Sequence, residues 1–335
     1  MIAGNPLETI SGVSQDLLSQ VVADATEPVL LKGLVSDWPV VKCAQQSDAA
    51  VDSYLRKFYQ GASVGVFTGG PDIAGRFFYN EELTGFNFER SLAKLDQVLE
   101  DIAEQSDLPN PASYYVGSTT VDTCLPGFRA ENDLDFGELN PLASIWIGNR
   151  SRIAAHYDLP DNVACVVVGR RRFTLFPPDQ LENLYVGPLD LTPAGQQISL
   201  VDFHRPDMER FPLFSKALER ALVVDMVPGD ALFLPSMWWH HVESLDNLNI
   251  LVNYWWRTSP EYMGPPIDVL HHALLTIRDL PTAQKKAWQD IFDYYIFGDR
   301  ASLDHMPPES RGSLGEMDDN MARKIRSLLL NKLNR

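Results

Sequence analysis

Three cysteines in 335 residues, with no CxxC pair among them, leave sulfur chemistry little to work with. Cys43, Cys124 and Cys165 are odd in number and far apart, so neither a disulfide framework nor a zinc knuckle is expected. Long apolar runs are missing too. No stretch reaches the ~18 residues that span a bilayer. The opening, MIAGNPLETISG, has neither the basic nor the apolar region of a signal peptide. A cytoplasmic protein with no membrane association is the expectation. Positive charge is the third scarcity: 28 Lys and Arg stand against 45 Asp and Glu, a formal charge of −17. Nucleic-acid phosphates repel such a chain. Its one dense basic cluster, Arg170-Arg171-Arg172, lies inside a strand-like run, so nucleic acid is disfavoured as a partner.

What is abundant is apolar residue in short, punctuated runs. The hydrophobic class makes up 45% of the chain, enough for one large β domain or two ordinary ones. SQDLLSQVVADA, DSYLRKFYQ and SLAKLDQVLEDIAEQ carry helical spacing; EPVLLKGLV and ASVGVFTGG read as strands. The middle turns mainly to strands: SYYVGS, SIWIGN, NVACVVVG, RRFTLFPP, ALVVDMVPGDALFLP and NILVNYWW, separated by Pro, Gly, Asn and Asp. That rhythm predicts an all-β sandwich or barrel. The long irregular stretch over 181–220 is of the kind that is usually functional, and one side of a substrate groove is its expected role. Past MGPP the composition changes, and three amphipathic helices are expected in a tail over 266–335, after a catalytic domain over 1–265. Trp288, Ile291, Phe292, Tyr295 and Ile296 would give that tail a broad apolar face, which predicts a homodimer through the C-terminal helices.

Two segments carry the chemistry. In AHYDLPDN (155–162), period-two alternation aims His156 and Asp158 the same way, with Tyr157 opposed. An HxD pair alone recurs by chance. The second segment, PGDALFLPSMWWHHVESL, ends a nearly apolar strand in two histidines. His240 shares a face with Val242 and His241 with Glu243, so His240 is expected inward and His241 toward solvent or the outer rim. Two histidines and a carboxylate with open positions form the facial triad of non-haem Fe(II) oxygenases. Zinc with a water can use the same groups. A facial-triad iron needs a reductant, commonly a 2-oxo acid, and a cation for its far carboxylate. In GRRRFTLFPP, Arg171 shares its face with Phe173 and Leu175, so it is the expected buried cation, while Arg170 and Arg172 point away.

With LFPPDQLENLY, VDFHRPDMERFPLF and MWWHHVESL added, the sequence resembles the cupin-like Jumonji-type (JmjC) 2-oxoglutarate oxygenases, and is similar to the asparaginyl hydroxylase that inhibits hypoxia-inducible factor. The resemblance covers roughly 25–300 and is strongest over 144–256. It implies a mainly β (α+β) fold: a double-stranded β-helix (cupin, jelly-roll) core with flanking helices and a C-terminal helical dimerisation region. It also implies Fe(II) on His156, Asp158 and His240 as the catalytic centre, with 2-oxoglutarate and O2 as co-substrates. Matching motifs carry the family's co-substrate lysine onto Arg171, its polar partners onto Asn162 and Asn253, and its co-substrate tyrosine onto Tyr115. Two departures stand out: arginine replaces lysine, and Ile153 replaces a threonine, which removes one hydrogen bond to the co-substrate. The activity so implied is hydroxylation of a C–H bond on a protein or peptide side chain, in a dry cavity walled by Trp238, Phe233 and Trp255. The rivals are a cupin of another class, an isomerase or zinc hydrolase, and a non-catalytic module stabilised by a metal.

Overall fold

A computed structural model describes residues 4–193, 195–298 and 303–334. Its strands run β1 (Glu8–Ser11), β2 (Val29–Lys32), β3 (Ser63–Gly69), β4 (Arg76–Phe77), β5 (Glu89–Lys94), β6 (Ser113–Thr120) and β7 (Leu142–Gly148). The rest are β8 (Ser151–His156), β9 (Asp161–Val168), β10 (Arg171–Phe176), β11 (Leu222–Met226), β12 (Ala231–Leu234), β13 (Trp239–Ser244) and β14 (Asn249–Trp256). They pair into a nine-stranded sheet, β1-β2-β12-β9-β14-β7-β6-β3-β5, and a five-stranded sheet, β11-β10-β13-β8-β4. This is the jelly-roll core that the sequence leads one to expect.

Alternation explains how the layers hold together. Along β9, Val163, Cys165 and Val167 enter one cluster and Ala164 and Val166 another. The second cluster lies between the sheets, because Phe173, Leu175, Val224 and Val242 of the smaller sheet join it. The first lies on the outer face of the larger sheet, under helices that contribute Leu18, Val51, Leu55, Leu95 and Leu99. Each fully buried Val or Leu contributes about 1.5–3 kcal/mol. Ser14 and Ser47 cap two of the covering helices: the Ser14 hydroxyl accepts from the Leu17 N–H and the Ser47 hydroxyl from the Ala50 N–H. A third cluster, with Phe176, Phe203, Phe214 and Trp239, buries the outer face of the smaller sheet beneath the 181–220 segment.

One boundary differs from expectation. SLAK reads as the start of a helix, yet it belongs to β5, whose Leu92 pairs with Gly65 and is 79% exposed. The helix begins at Leu95, the first of four buried positions at helical spacing.

The chain divides into two compact units, Met1–Arg257 and Thr258–Arg335. The second contains the helices Pro266–Thr276, Thr282–Phe292 and Asp319–Leu333, and the middle one continues into a π-helical turn, Asp293–Phe297. No helix among the described residues is long and apolar enough to cross a membrane.

Candidate metal centre

His156, the last residue of β8, is registered directly opposite His240 of the antiparallel β13. Their rings stand 4.2 Å apart. Asp158 lies just past the strand, so alternation within a strand does not place it. Its position is tied instead to the β12–β13 turn, where its backbone carbonyl accepts from the Met237 N–H at 2.8 Å. The outcome is still a shared site: His240 Nε2 is 3.4 Å from Asp158 Oδ2, and the three residues offer ligand atoms all within 4.8 Å of one another. Two neighbouring ligands each about 2.1 Å from one ion would be separated by about 3 Å, so little adjustment is needed.

Hydrogen bonding prepares both rings as ligands. His156 Nδ1 donates to the Ala154 carbonyl at 2.9 Å, and His240 Nδ1 to the Trp238 carbonyl at 3.0 Å. With Nδ1 so engaged, each ring presents Nε2 to the site. Burial, with His240 close by, pushes His156 down to about 4, so it is neutral at pH 7. Burial acts to raise Asp158, but the hydrogen bond and charge of His240, together with His156, hold its carboxyl below the usual range. The donor set is thus two imidazoles and a carboxylate, which fits a divalent first-row metal.

The triad lines a pocket of about 390 Å³. Arg171, Asn162, Asn253, Tyr115 and Ile153 line the same pocket, so the fold brings the expected metal ligands and co-substrate residues to one place. Arg171 is 2% exposed and forms no ion pair among the described residues; its Nε has no hydrogen-bond partner. Burial lowers its pKa to about 10, with the Tyr115 hydroxyl acting the other way. Tyr115 is pushed up to about 12 by burial, so it keeps its proton. Asn253 Nδ2 donates to Asn162 Oδ1 at 3.0 Å, which leaves Asn253 Oδ1 unpartnered. The indole N–H groups of Trp146 and Trp255 are also buried and unpartnered at this pocket. Two orphaned indole donors beside a buried cation whose Nε is itself unpartnered call for a ligand rich in acceptor oxygens. The other two arginines point away as expected: Arg170 pairs with Asp246 and Arg172 with Asp225.

Three expectations need correcting. Trp255 walls the pocket, but Phe233 and Trp238 do not. Phe233 packs in the outer core against Trp256, and Trp238 lies among the inter-sheet apolar residues, with its indole N–H on the Thr26 carbonyl. Phe67, Phe77, Phe88 and Trp146 take that part of the wall. They come from four separate segments, and no pattern along the chain links them. His241 does turn from the pocket, yet it is only 5% exposed. Phe203 of the 181–220 segment covers its ring at 4.5 Å. That segment also supplies Pro193, Gln196 and Ile198 to the pocket.

Comparison with known proteins agrees with this geometry. The cupin-like domain family matches residues 15–262. The chain belongs to that family. The JmjC-type resemblance is matched among the relatives of this cupin-like protein. HSPB1-associated protein 1 of Rattus norvegicus is 26% identical over 286 residues, which is 78% of this chain and 55% of that protein. Lysine-specific demethylase JMJ31 of Arabidopsis thaliana is 32% identical over 136 residues, 38% of this chain and 24% of that one. tRNA wybutosine-synthesizing protein 5 of Gallus gallus is 30% identical over 141 residues, 38% and 41% of the two chains. The cupin-like chain spans about half the length of HSPB1-associated protein 1.

Proposed function

We propose that this cupin-like protein is an Fe(II)- and 2-oxoglutarate-dependent dioxygenase that hydroxylates a C–H bond, with a protein or peptide side chain as substrate. The observation that carries the reading is one pocket holding both a two-histidine, one-carboxylate set and a buried guanidinium with no carboxylate of its own. The overall balance is R–H + O2 + 2-oxoglutarate → R–OH + succinate + CO2. Iron held by His156, Asp158 and His240 would supply the sites at which the 2-oxo acid and O2 are activated.

The chain's own residues do the rest. The Nδ1 contacts of both histidines with backbone carbonyls fix the ring orientation and turn Nε2 to the site. Arg171 neutralises the far carboxylate of the co-substrate, and the protonated Tyr115 hydroxyl donates beside it. Asn162 and Asn253 present a fixed amide pair to the oxo-acid end. The aromatic walls keep water out, which strengthens each of these contacts. A protein or peptide substrate agrees with the chain's −17 charge, which opposes binding to nucleic acid. A homodimer built on the C-terminal helices and a cytoplasmic location complete the proposal.

The test is anaerobic reconstitution with Fe(II), then addition of 2-oxoglutarate and O2. About one iron per chain and steady succinate formation are expected, both lost in His240→Ala. An iron-loaded protein that forms no succinate would favour another cupin chemistry.

A further inference from the structure

Two glycines face the pocket from neighbouring strands. Gly65 of β3 and Gly117 of β6 each lie one position beyond Val66–Val116, the last registered pair of the two strands. Both line the pocket, and a Cβ built on either meets no atom within 4 Å. Glycine inside a strand weakens it, and one reason to find it there is close approach by a ligand or another backbone. The pocket therefore has a notch of bare backbone at its open edge, where Gly65 is exposed and Gly117 half-buried.

The walls beside the notch are aromatic. Phe67 lies 5.0 Å from Phe88 and 6.2 Å from Tyr115 between ring centroids, and Phe77 lies 5.8 Å from Tyr115. Charge then narrows the occupant. Apart from the two histidines and Tyr115, the ionisable groups among the described lining residues are Asp158 and Arg171. Asp158 belongs to the triad and Arg171 is a cation, so no carboxylate remains to pair with an ammonium or guanidinium. The rings are already engaged by a positive group: the Arg90 guanidinium carbon lies 5.1 Å from the Phe67 centroid and 5.6 Å from that of Phe88. Arg90 is held there by the Thr192 and Pro193 carbonyls, to which it donates. A second cation would meet repulsion instead of cation–π attraction.

We infer that this is the substrate side of the pocket and that it receives an uncharged aromatic side chain, its ring laid over the Gly65–Gly117 notch between the aromatic walls. Lysine and arginine side chains are excluded by charge. The inference rests on the oxygenase reading of the metal site, and the experiment separates the two.

Calorimetry is carried out on protein loaded with Mn(II), which occupies the site without turnover. The first titrant is 2-oxoglutarate. The next are N-acetyl-phenylalanine amide, N-acetyl-tryptophan amide and N-acetyl-lysine amide, added to the 2-oxoglutarate complex. Binding of 2-oxoglutarate is expected, followed by the two aromatic amides at least ten-fold more tightly than the lysine amide. Gly65→Val and Gly117→Val put a side chain into the notch from a Cβ that meets no atom within 4 Å, and valine suits a strand. Each should keep its melting temperature and its 2-oxoglutarate affinity while losing at least ten-fold in affinity for the aromatic amides. Failure of 2-oxoglutarate to bind the wild type would remove the oxygenase reading and this inference with it. Normal 2-oxoglutarate binding with no uptake of the aromatic amides, with equal uptake of the lysine amide, or with undiminished uptake by both valine variants, would overturn the substrate assignment alone.

Discussion

Which side chain faces the pocket was readable residue by residue wherever a strand alternates cleanly. His240 against His241, and Arg171 against its two arginine neighbours, follow from period two alone. What covers the other face was not readable. His241 looked like a rim residue because its same-face neighbour is Glu243, but Phe203, nearly forty residues away in sequence, lies over it. Both its ring nitrogens are buried without a hydrogen-bond partner, and Glu243 Oε1 stands 3.7 Å from Nε2, beyond hydrogen-bond reach. Replacing an unsatisfied polar ring with an apolar one of similar shape is neutral or stabilising. His241→Phe should therefore match or exceed the wild-type melting temperature and keep full iron stoichiometry; a marked fall in either would mean that the ring has a polar role. Arg171 gives the opposite case. Charge-assisted hydrogen bonds from its guanidinium contribute ~1.5–3 kcal/mol each, and ~1.4 kcal/mol is a factor of ten. Arg171→Ala should weaken apparent 2-oxoglutarate affinity at least ten-fold, Arg171→Lys should recover part of it, and Arg170→Ala and Arg172→Ala should change little. Ile153→Thr should tighten binding further by adding a hydroxyl at the pocket wall. Succinate formation against 2-oxoglutarate concentration measures all five, and unchanged affinity in Arg171→Ala would take this residue out of the site.

Among elements, most strands were legible from their apolar rhythm, and those missed had competing signals. SLAK shares helical spacing with the residues after it, and only its pairing with β3 makes it a strand. The turn that carries Asp158 gives no periodic signal at all. The outer face of the smaller sheet shows a pattern that spans strands and so cannot be read along one of them. Asp225, Arg172, Glu243, Arg152 and Arg76 are registered in a row across β11, β10, β13, β8 and β4. Asp202 of the covering segment adds to the row, 3.2 Å from Arg152 and 3.7 Å from Arg76. Burial acts to raise Asp202, but the His204 backbone N–H and the two arginines bring its carboxyl below the usual range. The hydrogen bond from Arg172 lowers Asp225 likewise. A carboxyl lowered in the folded state contributes stability that is fully present above its unfolded value, about 3.9, and is lost as pH falls through the folded value. The melting temperature should hold between neutrality and about pH 5 as far as these groups decide it, then fall below about pH 4. Asp202→Asn should lower it at pH 7 and flatten the acid limb, while Asp225→Asn, whose side chain is 58% exposed, should do less. An acid limb in Asp202→Asn as steep as in the wild type would show that the row carries no stability.

For the whole molecule, the sequence told which segments are strands and which tail is helical, but not which strands meet. Phe67, Phe77 and Phe88 share a wall only because β3, β4 and the residue before β5 converge, and no spacing along the chain announces that. The tail raises the corresponding question between molecules. Along the helix Thr282–Phe292 and its π-helical extension, Trp288 is 43% exposed, Tyr295 48%, Ile296 66% and Phe297 77%. Monomers rarely leave contiguous apolar patches of more than a few hundred Å² in water, and larger ones mark interaction sites. Closed two-fold symmetry lets one patch bury itself against its own copy, and this is the commonest oligomeric arrangement. Light scattering at micromolar concentration should therefore give twice the chain mass. Ile296→Glu together with Phe297→Glu would place two carboxylates in each copy's share of that interface, where burying unpaired charge is costly. The double variant should elute as a monomer with its iron stoichiometry intact, because these residues lie outside the unit that carries His156, Asp158 and His240. A wild-type chain that scatters as a monomer would end the dimer reading. A dimer unaffected by both glutamates would move the interface elsewhere on the molecule.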